Sequence, residues 1–330
     1  MKFHNLCLII TNKCNAECDF CGFSCSPKNN SYMDEIMMER LIKEAKQMGL
    51  KTVGFSGGEP FLNPELLKKG VAVAREEKLL VSIATNGFWG KWDAEKIKAV
   101  LTEAKPDVMS FSYDWFHRKY IPQKDFFRAF AAARQLDMKC SIYVGDMNGE
   151  YSAGRFIQSL GKDKFGKDYR IYPLYRTGRA EKMPAELFLT GNAEDNNLGC
   201  LYDNTISVLY NGDVYPCCRH QVFGSAMKMG NVKNKALKDV IGHSDVPMIC
   251  DVLMQNERFQ ELIRIAKEKG IPLPEYPGCS CDYCKMLFYS EKNKETMLPF
   301  VKEMHGEMLV RSLLKEAQKN AHQACNRHDK

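Results

Sequence analysis

Short apolar runs alternate with amphipathic stretches through the first half of the chain. Residues 6–11, 52–56, 80–85, 108–112, 139–144 and 169–175 have the length and the β-branched or aromatic content of strands. Between them, residues 34–47, 64–78, 93–104, 124–135 and 152–160 carry apolar positions at helical spacing. In the first of these, Ile36, Met37, Leu41, Ala45 and Met48 form a stripe expected to be buried. Strand and helix in regular alternation predict an α/β fold whose parallel strands are joined by right-handed crossovers. Six units rather than eight predict an open, partial (β/α)6 barrel of TIM type, with a flat doubly wound sheet as the competing architecture. By analogy with full barrels, the functional groups are expected at the C-terminal ends of the strands.

The pattern changes after about residue 180. Residues 184–197 read as a linker, and 205–210 and 213–215 as two strands. Asn211-Gly212 between them is a strong hairpin signal, since both tolerate positive φ. A helix follows with Phe259, Leu262, Ile263 and Ala266 on one face and Gly270 as its stop. A long polar helical segment begins near Ser290. The expected division is a barrel over 1–195, a small auxiliary domain over 196–290 and a helical segment over 291–330.

Composition narrows the picture. Hydrophobic residues make up 45% of the 330, enough for an ordinary core. The net charge of +6 is mild and no Lys/Arg block marks a nucleic-acid groove. The basic stretch from Lys315 to Lys330 reads as a solvated helix and tail. Apolar runs are too short for a membrane span, and the first residues show no small-residue cleavage site, so a cytoplasmic protein is expected. Fourteen cysteines are many for this length. They gather as Cys14/Cys18/Cys21/Cys25 and Cys279/Cys281/Cys284, with Cys200/Cys217/Cys218 between. In a reducing compartment such clusters point to metal or redox ligands rather than disulfides.

Cys14, Cys18 and Cys21 follow the first strand as C-x3-C-x2-C. Three thiolates on one short loop can hold three corners of a 4Fe–4S cube and leave the fourth iron open. With Phe20 just before the last cysteine, this loop resembles the signature of the radical S-adenosylmethionine (SAM) superfamily. The resemblance implies that the open iron chelates the methionine end of SAM and that cluster reduction releases a 5′-deoxyadenosyl radical. It also implies cofactor-binding roles for other positions. Gly57-Gly58-Glu59-Pro60 matches the motif that receives the cofactor's amino group, with Glu59 adding a carboxylate or orienting the turn. Thr85-Asn86-Gly87 ends the third strand, and Ser112 and Asp114 end the fourth, where family members contact the cofactor. Gly178 and Arg179 are expected to shape the pocket, and His117 to lie on the surface. A closed zinc site with Cys25 as fourth ligand is the structural alternative.

Cys200, the hairpin's Gly212-x4-Cys217 and the distant Cys281-x2-Cys284 resemble the SPASM extension or its shorter relative, twitch. The shorter form implies one auxiliary 4Fe–4S cluster on Cys200, Cys217, Cys281 and Cys284, with Cys279 able to replace either of the last two. A zinc knuckle is the alternative there. Cys218 beside Cys217 is either a small hydrophobe or a hydrogen-atom donor to a substrate radical, a role that Cys25 and Cys250 could also fill. Residues 21–27 resemble the loop of YydG-type peptide epimerases, which implies Cα epimerisation of a ribosomally made peptide, L to D. Asp213 or Asp203 could then relay a proton. Peptide cross-linking, action on a small metabolite, and a non-catalytic zinc module are the alternatives. With the cysteine loop starting at residue 14, no N-terminal peptide-binding module is expected, so barrel and extension must hold the substrate. The expected partners are the peptide and an electron donor such as flavodoxin or ferredoxin, with neither nucleic acid nor membrane.

Overall fold

The computed structural model describes residues 3–190, 199–200, 204–275 and 277–328. Its first half holds β1 (Asn5–Thr11), α1 (Glu35–Gln47), β2 (Thr52–Gly57), α2 (Pro64–Glu76), β3 (Leu80–Thr85), α3 (Ala94–Glu103) and β4 (Val108–Ser112). The short α4 (Trp115–Arg118), α5 (Gln123–Gln135), β5 (Lys139–Asp146), α6 (Ala153–Leu160), α7 (Lys162–Phe165) and β6 (Tyr169–Pro173) complete it. Four of the crossover helices start where a short polar side chain satisfies an otherwise orphaned N–H, while α5 follows Pro122 with no side-chain cap. Asp34 accepts from Met37 N, Asn63 from Leu66 N, Asp93 from Lys96 N and Ser152 from Arg155 N.

The strands β1 to β6 are parallel and lie side by side in chain order. A doubly wound sheet reverses its order at a switch point. Monotonic order instead sends every right-handed crossover to the same face, which curls the sheet into a partial barrel. The alternating strand residues Leu8, Val53, Phe55, Val81, Ile83, Met109, Phe111, Ile142 and Val144 are buried in one core with the inner faces of the helices. On α1 that face is Met37, Met38, Leu41, Ile42 and Ala45. Ile36, expected in the stripe, is 78% exposed, because Met38 and Ile42 move the buried face round the helix.

The second half adds β7 (Thr205–Leu209), β8 (Asp213–Tyr215), β9 (Gly230–Asn231), α8 (Leu237–Gly242), α9 (Val246–Leu253), α10 (Asn256–Glu268), α11 (Ser280–Leu287) and α12 (Glu291–His328). The expected hairpin is present, and β7 pairs in parallel with β1, from Asn5↔Thr205 to Ile9↔Leu209. The extension therefore continues the barrel's own sheet, in the order β6-β5-β4-β3-β2-β1-β7-β8-β9. A second tie comes from α1. Arg40 donates to the carbonyls of Val232 and Lys235, and Glu44 Oε2 accepts from Leu237 N at 2.7 Å. α12 buries Met297, Val301 and Met304 against the helices that precede it. Among the described residues, no helix is long and apolar enough to cross a membrane.

Candidate active site

The loop after β1 carries Cys14, Cys18 and Cys21 across the C-terminal ends of the strands, over a small apolar cluster of its own that includes Ala16, Phe116, Leu174 and Ala180. The turn after β2 is docked against it: Gly58 N donates to Thr11 O and Glu59 N to Lys13 O, both at 2.9 Å. A Cβ on Gly58 would lie 2.0 Å from the Lys13 carbonyl oxygen, so only glycine lets the two loops approach this closely. Arg179 closes the loop from the other side. Its Nε donates to Cys18 O at 3.0 Å, its Nη2 to Cys25 O at 2.7 Å, and its backbone N to Cys21 O at 3.1 Å.

A partly open cavity of about 210 Å³ lies here. Its wall includes all three thiols and, of the expected cofactor residues, Phe20, Gly57, Gly58, Thr85, Asn86, Ser112 and Arg179. Asn86 Nδ2 lies 3.7 Å from Cys14 Sγ and 2.9 Å from Asn15 Oδ1. Glu59, Pro60 and Asp114 are not in the wall; they stand behind it. Glu59 is fully buried and accepts from Phe61 N (3.1 Å), Thr85 Oγ1 (2.9 Å) and Asn86 N (2.7 Å), so it orients the β2 and β3 turns. Burial raises its pKa to about 7 against the stabilising pull of those donors. Pro60 opens a one-turn helix packed below.

Asp114 Oδ1 accepts from the N–H groups of Phe116 and His117 and meets His117 Nδ1 at 2.8 Å. His117 is thereby drawn inward and lines the cavity, correcting the expectation of a surface histidine. Burial opposes its charge, but the Asp114 carboxylate outweighs that and holds its pKa above the ordinary value. Two further wall residues carry no sequence motif, Tyr172 at the end of β6 and His220 from the extension. His220 packs edge-on to Phe23 at 4.3 Å, and its ring would lie 2.6 Å from a Cβ on Gly22. Burial and the neighbouring Arg219 push its pKa down to about 4, so it is neutral at pH 7.

These residues suit the cluster and cofactor that the motif implies. Burial pushes the Cys14 thiol up to about 12 and Cys18 higher still, as expected of ligand thiols lacking a compensating cation. Cys21 is lowered to about 6, chiefly by a hydrogen bond from the Cys25 thiol, with Arg179 helping. Asp114 Oδ2 is buried without a hydrogen-bond partner among the described residues, an acceptor left over beside the cavity. Among the described residues, no three His, Cys, Asp or Glu side chains converge tightly enough to chelate a single ion. The thiols of a cube sit further apart than the donors of one ion.

In the extension, Cys200 N donates to Leu253 O at 3.0 Å, which sets Cys200 beside α9. Cys250 and Cys284 are buried in the main core, with Cys200 and Cys217 packed against it. Of the four expected ligands, Cys200, Cys217 and Cys284 thus border or join that core, whereas Cys281 is buried on α11 outside it. Cys281 shares a thiol hydrogen bond with Cys279, whose Sγ also caps α11 and receives Gln221 Nε2 at 3.8 Å. Cys218 is half-buried, two residues before His220 and outside the cavity wall. Asp213 is engaged in the hairpin turn through Asn211, Asn231 and Lys228. Asp203 lies outside the described residues.

Comparison with known proteins agrees with this geometry. Residues 8–150 match the model of the radical SAM superfamily, and residues 200–285 match SPASM, an iron–sulfur cluster-binding domain. YydG of Bacillus subtilis strain 168, ascribed to peptide biosynthesis, is 23% identical over 90% of this chain and 96% of its own. The solved structure of anSMEcpe with bound AdoMet superposes with a TM-score of 0.59 at 16% identity, covering 92% of this chain and 95% of that one. SuiB of Streptococcus suis, bound to its precursor peptide SuiA, gives 0.51 at 16% identity over 74% and 66%. The cofactors are thus SAM with its 4Fe–4S cluster in the barrel, and auxiliary iron–sulfur binding in the extension. The chain is a radical SAM enzyme, a member of that superfamily extended by a SPASM-type iron–sulfur domain.

Proposed function

We propose that this enzyme modifies a ribosomally made peptide by inverting a Cα centre from L to D, with Cys218 as the hydrogen-atom donor. The observation that carries the reading is the path of the segment after β8. Cys217 packs against the main core, while His220, three residues later, lines the cavity and packs on Phe23 of the cysteine loop. Cys218 stands between the two, on the stretch that bridges the auxiliary thiols and the barrel mouth.

When bound, the reduced cluster and SAM supply a 5′-deoxyadenosyl radical. The chain's own part is positional. Asn86, Ser112 and the β2 turn line the cofactor cavity together with Tyr172 and His220. After Hα abstraction, the Cys218 S–H bond breaks as a new Cα–H bond forms on the opposite face. The resulting thiyl radical takes an electron and a proton to regenerate, for which a flavodoxin or ferredoxin is the proposed electron source. A cleft of about 330 Å³ lies across the 172–181 segment from the cavity, lined by Tyr175, Arg176, Asp282 and Lys285 among others. Its mixed apolar and charged wall suits a peptide segment. The relation to YydG across nearly the full chain, and the peptide seen with SuiB, support a peptide substrate.

The test is anaerobic turnover of candidate precursor peptides with SAM and dithionite, followed by hydrolysis and chiral amino-acid analysis. A D-residue in a peptide of unchanged mass is the expected product. Loss of two hydrogens with no D-residue would instead identify a cross-linking enzyme.

A further inference from the structure

Given the peptide substrate inferred above, we propose that the open edge of β6 takes up that peptide as an added β-strand. Main-chain hydrogen bonds to Tyr169 and Ile171 would hold an extended segment and lead it to the cofactor cavity.

β6 is the last strand of the sheet and pairs, among the described residues, with β5 alone. The two ends of that ladder fix its parity. Ile142 N donates to Asp168 O at 2.7 Å, and Leu174 N donates to Asp146 O at 3.0 Å. In a parallel pair, alternate residues direct both of their main-chain groups to the same neighbour. Residues 168, 170, 172 and 174 therefore face β5, and Tyr169, Ile171 and Pro173 present their main-chain groups to the open side. The N–H groups of Tyr169 and Ile171 and the carbonyls of Tyr169, Ile171 and Pro173 have no main-chain partner among the described residues. They repeat about every 6.6 Å along the strand. Proline at 173 gives up an N–H only on the open side, so the β5 ladder is intact.

Edges of this kind are ordinarily blunted by bulges, lysines or a covering element. β6 keeps an unbroken register with β5 and leaves Tyr169 37% and Ile171 48% exposed. The opposite edge of the sheet, β9, is only two residues long. Evenly spaced main-chain donors and acceptors are complementary to another extended backbone, not to a helix or a small metabolite. Where the edge leads assigns the occupant. Tyr172 lines the cofactor cavity with the cysteine loop, and Leu174, Tyr175 and Arg176 line the 330 Å³ cleft. A strand laid along residues 169–173 thus ends at the cavity where the radical is made. That suits the molecule to be modified better than a second copy of the chain.

The test uses reconstituted holoenzyme and a fluorescein-labelled precursor peptide that the wild type converts. Hydrogen exchange in the segment 168–173 should slow at about two amides when the unlabelled peptide binds, those of Tyr169 and Ile171. Ile171→Pro deletes an outward N–H without touching the β5 ladder. It should weaken peptide binding roughly tenfold and leave iron content and SAM affinity unchanged. Ile171→Ala keeps the N–H and should bind within about twofold of wild type, since the main chain supplies the affinity. N-methylation of successive peptide residues should weaken binding at every second position. Peptide binding without protection of β6, wild-type affinity in Ile171→Pro, or an N-methyl scan without that alternation would overturn the edge site while leaving a peptide substrate in place. Protection of β6 in the free enzyme that is lost on dilution would place a second copy there and overturn it as well. A wild type that converts no peptide would instead remove the peptide reading itself.

Discussion

Arg179 reaches two carbonyls of the cysteine loop at once, Cys18 O and Cys25 O. Charge-assisted hydrogen bonds of this kind are worth roughly 1.5–3 kcal/mol each. Arg179→Ala should therefore loosen the loop, and iron retained by the barrel site after chelator challenge should drop severalfold. Arg179→Lys should rescue it only in part, because an ammonium cannot span both carbonyls in a fixed fork. Glu59 gives a pH prediction. Its pKa in the folded chain is raised to about 7 by burial, above that of an unfolded carboxyl, so folding favours the protonated form. The linked stability is fully present below the unfolded pKa and is lost as pH rises through 7. Denaturant unfolding of anaerobic protein should show a loss of up to about 3 kcal/mol between pH 5 and 8 from this group, and Glu59→Gln should flatten that slope. At this scale the cysteine loop and the glycine turn were legible in the sequence, because their chemistry sits in consecutive residues. His117 was misread because its partner Asp114 draws it inward from a helical turn too short to show periodicity. Tyr172 and His220 carry no motif, since only the fold brings them to the cavity.

The hairpin β7–β8 and the loop after it are the elements that join the two halves. Phe223 stacks on Phe23 at 5.1 Å and His220 lies edge-on to the same ring, so the extension rests directly on the cluster loop. Gly22→Ala would drive a methyl into the His220 ring and push the Cys218 segment away from the mouth. Cofactor cleavage without product should rise relative to peptide turnover, measured as the ratio of 5′-deoxyadenosine to modified peptide. The Arg40–Glu44 clamp on β9 and α8 is more remote. Arg40→Ala should lower overall stability by about 1–2 kcal/mol in denaturant unfolding while leaving barrel iron intact. The hairpin itself was readable from Asn211-Gly212, but its parallel docking on β1 was not. That pairing joins residues some 200 positions apart in the chain, and no local pattern encodes it.

Across the whole molecule, the alternation of strand and helix was sufficient to predict a partial barrel, and the monotonic strand order decides against the flat alternative. The site sits at the C-terminal ends of the strands, as the barrel analogy required. One segment after β8 reaches two places, with Cys217 packed against the main core and His220 in the wall of the barrel cavity. The measurement that tests this account most directly is anaerobic turnover in deuterated water, following 5′-deoxyadenosine and Cα deuterium together in wild type and Cys218→Ala. A solvent-exchanged thiol should place one deuteron on the wild-type product, while the variant still cleaves SAM but yields no deuterated, inverted residue. If Cys218→Ala delivered deuterium to Cα as well as the wild type does, the central claim would be contradicted.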